Sequence, residues 1–402
     1  PFEFHAPEGE DCYYPPMCTN PVMGEYMPEG PQLGAYTHLK VMRDLFLEAG
    51  GKIEINTPAQ QLVQDSSGAV TGVIAKDNNN KYKQYNAAKG VIVCTGGYGA
   101  NKEMLQDLCP DAYNYCTSTA ATTEEGDGIR MALWAGAHLE EGGGAMVWNR
   151  GVVTDNEEVG PELGNPLYLP ASQPFLRVNV RGERIMNEDS TYPEIYAMGT
   201  RQPKGFTWQV FDGTYWEDIQ RFDTCGCSRL TPAPNGGAFN ADVYDLQPLT
   251  REHLESFWMA PRLEEGNLKK CDTLEELAKT MFPDADDQKT FLATVERYNQ
   301  LYDSQSDDDF GKMAPRLSAV RQAPFYGCWL GASLLTTEQG IAINENTQAL
   351  DEERNPIEGL YVTGDMSGSF FANNYPCLMP GIACGRTLTF AIKAVKQMGG
   401  LE

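Results

Sequence analysis

Residues 359–365 read Gly-Leu-Tyr-Val-Thr-Gly-Asp, and residues 368–390 continue GSFFANNYPCLMPGIACGRTLTF. The first stretch reads as a buried strand that ends in a Gly-Asp turn. The second holds a loop with Tyr375-Pro376 and then a helix whose first turn follows Pro380-Gly381. A strand feeding a helix N-terminus brings backbone N–H groups and the positive end of the helix dipole toward an electron-rich ligand. An acidic residue at the strand end can hold sugar-type hydroxyls. These features together suit a flavin, with Asp365 on the ribityl chain and the amides near Gly381 on the pyrimidine edge of the ring.

Working outward, residues 91–99 read VIVCTGGYG. This is a short strand running into Thr95-Gly96-Gly97, where the missing Cβ lets backbone approach a cofactor closely. Alone, a Gly-Gly after a strand is more often a plain turn. Further on, Glu124-Glu125-Gly126-Asp127-Gly128 opens a helix with acidic residues at its positive end. Residues 35–49 read as an amphipathic helix with Leu39, Met42, Leu45 and Phe46 on one face, stopping at Gly50-Gly51. Strands are expected over 52–56, 61–64, 70–76, 81–85, 90–94 and 340–344, with Asp77–Asn80 as a turn. Residues 1–34 read as irregular loop.

The composition changes between about Met146 and Val320, where the chain becomes loop-rich and aromatic, with helices near 273–281 and 288–302. This predicts an inserted domain. The expected fold is α/β with α+β character: an FAD-binding domain from 1–145 and 326–402, interrupted by an α+β capping domain over 146–325. The aromatics Tyr196, Trp208, Phe211 and Trp216 could line a substrate pocket, with ordinary core packing as the default for most of them.

Composition bounds the partners. The 402 residues carry a net charge of −25, with 41% hydrophobic and 22% charged residues. That charge disfavours nucleic acid and anionic membrane surfaces. No apolar run approaches the roughly 20 residues of a membrane span. The eleven cysteines show no repeated metal-ligand spacing, and the lone Cys225-x-Cys227 cannot close a zinc site. The cysteines are expected to be free, and no metal is expected.

Three motifs in order resemble the fumarate reductase / 3-ketosteroid dehydrogenase flavoprotein superfamily: the Thr-Gly-Gly of 95–97, the Gly-Asp-Gly of 126–128 and the GLYVTGD of 359–365. The resemblance implies FAD as cofactor, with Thr95, Gly96, Gly97, Asp127, Gly364, Asp365, Pro380, Gly381 and Ile382 around it. It also implies hydride transfer to or from a CH–CH bond of a small-molecule substrate. Members of this family begin with a G-x-G-x-x-G unit for the pyrophosphate, and no such fingerprint occurs here. The resemblance therefore implies a start downstream of that unit and poor FAD retention by this stretch alone.

A second region, NVRGERIMNEDSTY over 179–192, reads locally as a hairpin turning at Arg181-Gly182. Family members carry G-x-R-F-x-N-E here, matched by Arg184, Asn187 and Glu188. Four positions after that glutamate, fumarate reductases place their proton-donating arginine, and the ketosteroid branch a tyrosine; this chain has Tyr192. Tyr375-Pro376 likewise matches the ketosteroid branch. Thr336 and Asn374 stand where fumarate reductases hold substrate carboxylates with histidine and arginine. A dicarboxylate needs cationic forks, so the resemblance points to a neutral enone or 3-ketosteroid. Tyr192 would be the proton-transfer residue and Tyr375 the carbonyl donor, with Thr336, Asn374 and Gly381 lining the substrate site. The alternatives are a reductase of an unsaturated carboxylic acid and a non-catalytic flavin-domain fragment. The family's respiratory members suggest a cytochrome or other electron donor as partner, although no haem-type C-x-x-C-H occurs here.

Overall fold

The computed structural model describes residues 34–118, 122–153, 168–222, 250–371, 374–376 and 382–401, together with short strand pieces at 4–5 and 17–18. Most of 1–34, Cys225 and Cys227, Pro380 and Gly381 lie outside the described residues.

The elements that bear on the site run as follows. Helix α1 is Gly34–Glu48, and strands β1 (Ala59–Gln64), β2 (Val70–Lys76) and β3 (Tyr82–Asn86) form an antiparallel meander. Strand β4 (Val91–Val93) and the short β5 (Cys116–Ser118) precede helix α2 (Asp127–Trp134) and strand β6 (Ala145–Val152). Strand β7 (Leu176–Val178), helix α3 (Tyr192–Thr200), strands β8 (Thr207–Phe211) and β9 (Leu268–Cys271), and helices α4 (Leu274–Met281) and α5 (Ala285–Ser304) follow. The chain closes with β10 (Phe325–Thr337), β11 (Gln348–Leu350), β12 (Pro356–Val362) and helix α6 (Ile382–Gly399).

Two sheets set up the site. In the first, β12 lies parallel to β4, with Leu360 opposite Val91 and Val362 opposite Val93, and antiparallel to β11. Both parallel strands are short apolar runs bounded by glycine. They pack so closely that a Cβ on Gly90 would meet the Gly359 carbonyl oxygen at 2.7 Å. The second sheet has six strands centred on β10, whose 13 residues are long enough to pair with β8 and β9 in its first half and with β5 and β6 in its second. Its last residues, Thr336-Thr337, reach the end of the first sheet.

The core divides accordingly. One apolar cluster gathers Val93, Tyr98, Leu105, Ile129, Leu334, Ile341, Leu360 and Val362 around the parallel pair. Two others, around Phe211 and around Trp208 and Trp329, fill the region between 152 and 330. Trp208 and Phe211 are therefore core, Trp216 packs against the Phe211 cluster, and Tyr196 packs against the first cluster. The described cysteines are free.

Several local expectations are corrected. Residues 52–56 form no strand; Ile53 and Ile55 are exposed and find no ladder partner. Residues 340–344 make isolated bridges at Ile341 and Ile343 instead of a strand, because Gly340 is pressed against the Met366 carbonyl. Arg184 likewise makes one bridge, to Val178, in place of a hairpin ladder. In α1, Met42, Leu45 and Phe46 are exposed: nothing among the described residues covers the face whose periodicity suggested burial.

Candidate functional site

The parallel pairing of β4 and β12 brings their carboxyl ends, and the loops that follow, side by side. The Thr363 N–H extends the ladder by donating to the Val93 carbonyl at 3.1 Å. Open α/β sheets bind ligands at such strand ends. Here the two loops are Thr95-Gly96-Gly97 and Gly364-Asp365. Gly96 (φ 77°) and Gly364 (φ 72°) occupy the left-handed region, which side chains with a Cβ resist. A Cβ on Gly97 would lie 2.2 Å from Thr337 Oγ1.

Two more segments lock onto these loops. The Gly126 N–H donates to the Gly97 carbonyl at 3.1 Å and the Ala100 N–H to the Glu124 carbonyl at 2.9 Å. The Tyr98 N–H donates to Thr337 Oγ1 at 3.0 Å. Thr95, 271 positions away in sequence, donates to the sulfur of Met366 at 3.3 Å. Four short segments thus converge on one edge.

Within that edge, Thr336 Oγ1 lies 3.1 Å from Glu124 Oε2 and 3.4 Å from Asp365 Oδ2. Two carboxylates lie within reach of one hydroxyl proton. Burial, then each other's charge, raises the Glu124 carboxyl; burial raises Asp365, opposed by Arg386 and Thr336. The pair presents acceptor oxygens suited to ligand hydroxyls. Asp127 is placed differently: it opens α2 and pairs with Arg130 at the surface.

The two tyrosines come together. Tyr192 (4% exposed) and Tyr375 (6% exposed) share one small apolar cluster with Met146 and Phe371, against which Leu335, Ile382 and Ala383 pack. The Phe371 and Tyr375 rings are 5.0 Å apart. Ile382 opens α6, while Asn374 is exposed beside Tyr375 and its N–H donates to the Phe371 carbonyl at 3.0 Å.

Tyr192 is held by everything that precedes it. The Asn187 side chain accepts from the Asp189 N–H at 2.9 Å. Glu188, with no exposed side-chain surface, accepts from Arg184 Nε and Nη2 at 2.9 Å each and from Lys312 Nζ at 3.1 Å. Arg184 in turn forks onto Asp307 at 2.8 and 2.9 Å. Burial opposes ionisation of Asp307, yet the Arg184 bonds hold its carboxyl down at about 2. Thr191 then caps α3, with the Glu194 carboxylate accepting from its N–H at 2.9 Å. Tyr192 is the first helical residue after this cap.

The family model described as an FAD binding domain matches residues 27–377. The chain belongs to this FAD-binding family. It is 28% identical over 84% of its length to the vinyl phenol reductase of Lactiplantibacillus plantarum, covering 65% of that protein. It is 25% identical over 87% of its length to the "Probable fumarate reductase Ifc3" of Shewanella frigidimarina, covering 51% of it. The crystal structure of 3-ketosteroid delta1-dehydrogenase from Sterolibacterium denitrificans, in complex with 1,4-androstadiene-3,17-dione, superposes with a TM-score of 0.68 at 25% identity, over 89% of this chain and 62% of that one. The chain thus spans between half and two thirds of the length of these proteins.

The residues present fit a flavin. The glycine edge at 96–97 leaves no room for a side chain, Glu124 and Asp365 offer hydroxyl acceptors, and Arg386 holds two buried N–H donors, Nε and Nη1, with no partner among the described residues. Glu124, Glu338 and Arg386 are the site residues that sequence reasoning missed. Each lies beside a motif that was read, Glu124 just before Gly-Asp-Gly and Glu338 just after Thr336-Thr337, but charged side chains at such places are usually solvated. No helix among the described residues is long and apolar enough to cross a membrane, and no metal-ligand cluster occurs among them.

Proposed function

We propose that this flavoprotein chain supplies the ring-binding edge and the substrate-capping region, residues 146–325, of an oxidoreductase acting on the C=C bond of an α,β-unsaturated carbonyl compound, of enone or 3-ketosteroid type. The observation that carries the reading is the shared apolar cluster of Tyr192 and Tyr375 at the start of α6, beside the convergent glycine loops.

FAD, when bound, supplies hydride exchange with the β-carbon. The rest falls to the chain. Thr95, Gly96, Gly97, Gly364 and Asp365 would hold the cofactor, with Glu124 as a further hydroxyl acceptor; Asp127 pairs with Arg130 instead and is the weakest member of the expected set. Tyr375 donates a hydrogen bond to the substrate carbonyl and stabilises the charge that develops there. Tyr192 gives a proton to the α-carbon in reduction, the direction in which a phenol of ordinary pKa near 10 works best as an acid. The packing of Met146, Phe371, Leu335 and Ile382 around both rings keeps water from the reacting carbons.

Thr336 and Asn374 offer neutral groups where a dicarboxylate would need cations, which supports a neutral carbonyl substrate over fumarate. The likeness to a vinyl phenol reductase adds alkenes conjugated with a phenol to the substrates worth testing. The test is Tyr192→Phe in the flavin-loaded, full-length protein. Turnover should fall by about 10²- to 10⁴-fold while flavin content stays near wild type. Undiminished turnover would remove Tyr192 from the proton-transfer role.

A further inference from the structure

Glu338 and Arg386 are two buried, oppositely charged side chains, and of the two only Arg386 entered the flavin fit above. Glu338 follows Thr336-Thr337 at the end of β10 and is 5% exposed. Its backbone N–H donates to the Gly144 carbonyl at 2.8 Å, yet its carboxyl oxygen Oε1 has no hydrogen-bond partner among the described residues. Arg386, early in α6, is buried to the same degree. Its Nη2 donates to the Gly364 carbonyl at 2.5 Å and lies 3.9 Å from Asp365 Oδ1. Its guanidinium sits over the Phe371 ring at 4.6 Å, while Nε and Nη1 have no partner among the described residues. Buried polar atoms left unbonded are costly and rare, and ask for a functional reason.

Glu338 feels the charge of Arg386 on α6, of Glu140 before β6 and of Asp365 after β12, and its own charge acts on the Cys109 thiol. Glu140 is committed elsewhere, accepting from the Gly340 N–H at 3.2 Å and the Ser369 N–H at 2.6 Å. One cation therefore serves several carboxylates. Burial, opposed by Arg386 and assisted by Glu140 and Asp365, pushes the Glu338 carboxyl up to about 7. Its charge state can change near neutrality, next to the turn read as the flavin cradle.

We propose that Glu338 is a redox-linked proton store, binding one solvent proton when the adjoining flavin site takes up two electrons and releasing it when they leave. The electrons come from the reductant of the overall reaction and the proton from water. An O–H bond forms on Glu338 as negative charge enters the site, and it breaks on reoxidation. Arg386 is a positioning residue that ties Gly364 to the Phe371 ring and limits the charge that Glu338 must offset. The proposal rests on the flavin reading.

The test is the flavin midpoint potential against pH, from about 6 to 9, in flavin-loaded full-length wild type, Glu338→Gln and Glu338→Met, using a chemical reductant and mediator dyes. In a window above neutrality the wild-type potential should fall with pH more steeply than either neutral variant. The excess is about 30 mV per pH unit, one proton per two-electron couple. Glu338→Asp, which keeps the carboxyl, should retain the steeper slope at a shifted pH. Indicator-dye titration should show wild type taking up more protons per flavin than Glu338→Gln at about pH 8. Coincident slopes and equal proton uptake in wild type and either neutral variant overturn the proposal. Flavin absorbance is measured first: absence of bound flavin in the wild type would defeat the flavin reading itself, whereas bound flavin with coincident slopes defeats only the proton store.

Discussion

At Gly97 a single methyl group separates a cradle from a clash. A Cβ there would lie 2.2 Å from Thr337 Oγ1, and one on Gly128 would lie 2.1 Å from Thr95 Oγ1. Gly97→Ala should push the Thr-Gly-Gly loop off the end of β10, costing about 1–3 kcal/mol and lowering flavin content; calorimetry and absorbance check both. Glu338 gives a second expectation. Its folded carboxyl titrates near 7 against an ordinary 4.5, so the folded chain binds that proton more tightly than the unfolded one. Stability from this group is fully present below about pH 4.5 and declines as pH rises to about 7. Glu338→Gln lacks that decline, and should gain about 3 kcal/mol on wild type between pH 4 and pH 8, read as the difference in urea midpoints at the two pH values. The glycines and Asp365 were legible in the sequence because a strand-to-turn geometry writes itself locally. Glu124, Glu338 and Arg386 were not, because their environment is made by distant segments: Glu124 and Thr336 are 212 positions apart.

Among the elements, the stretch from Arg184 to Tyr192 carries the most chemistry per residue. Its Arg-x-x-Asn-Glu order was readable, but the cation that completes it was not. Lys312 reaches Glu188 at 3.1 Å and Tyr298 at 2.6 Å across the α5 side of the fold, and is fully buried. Glu188 gives up solvent and is stabilised by two cations; removing one leaves buried charge short of a partner. Lys312→Met should cost about 3–5 kcal/mol in chemical unfolding. At permissive temperature it should also depress turnover more than flavin binding, because Tyr192 loses its anchor. Equal unfolding midpoints for variant and wild type would show that the network does not bear on stability. The strands over 70–76 and 90–94 and the helices over 273–281 and 288–302 were readable from periodicity and caps. Helix α1 was readable as a helix, yet its apolar stripe is exposed, since amphipathicity states that a face needs cover and not what supplies it.

For the whole molecule, β10 links the two apolar regions and delivers Thr336, Thr337 and Glu338 to the edge where β4 and β12 end. The net charge of −25 disfavours polyanionic partners, while the Tyr192 and Tyr375 cluster is apolar, with the Arg386 guanidinium over its Phe371 ring. On the proposed reading this cluster serves a neutral carbonyl acceptor. The most direct measurement reduces the flavin of the full-length protein without oxygen, then follows its reoxidation on mixing with a 3-keto-4-ene steroid, a simple enone, a vinyl phenol and fumarate. Fast reoxidation by the steroid or the enone, slowed at least about tenfold by Tyr375→Phe, with little response to fumarate, is the expected result. Fast reoxidation by fumarate alone would contradict it, because a carboxylate clamp would then exist that Thr336 and Asn374 do not provide.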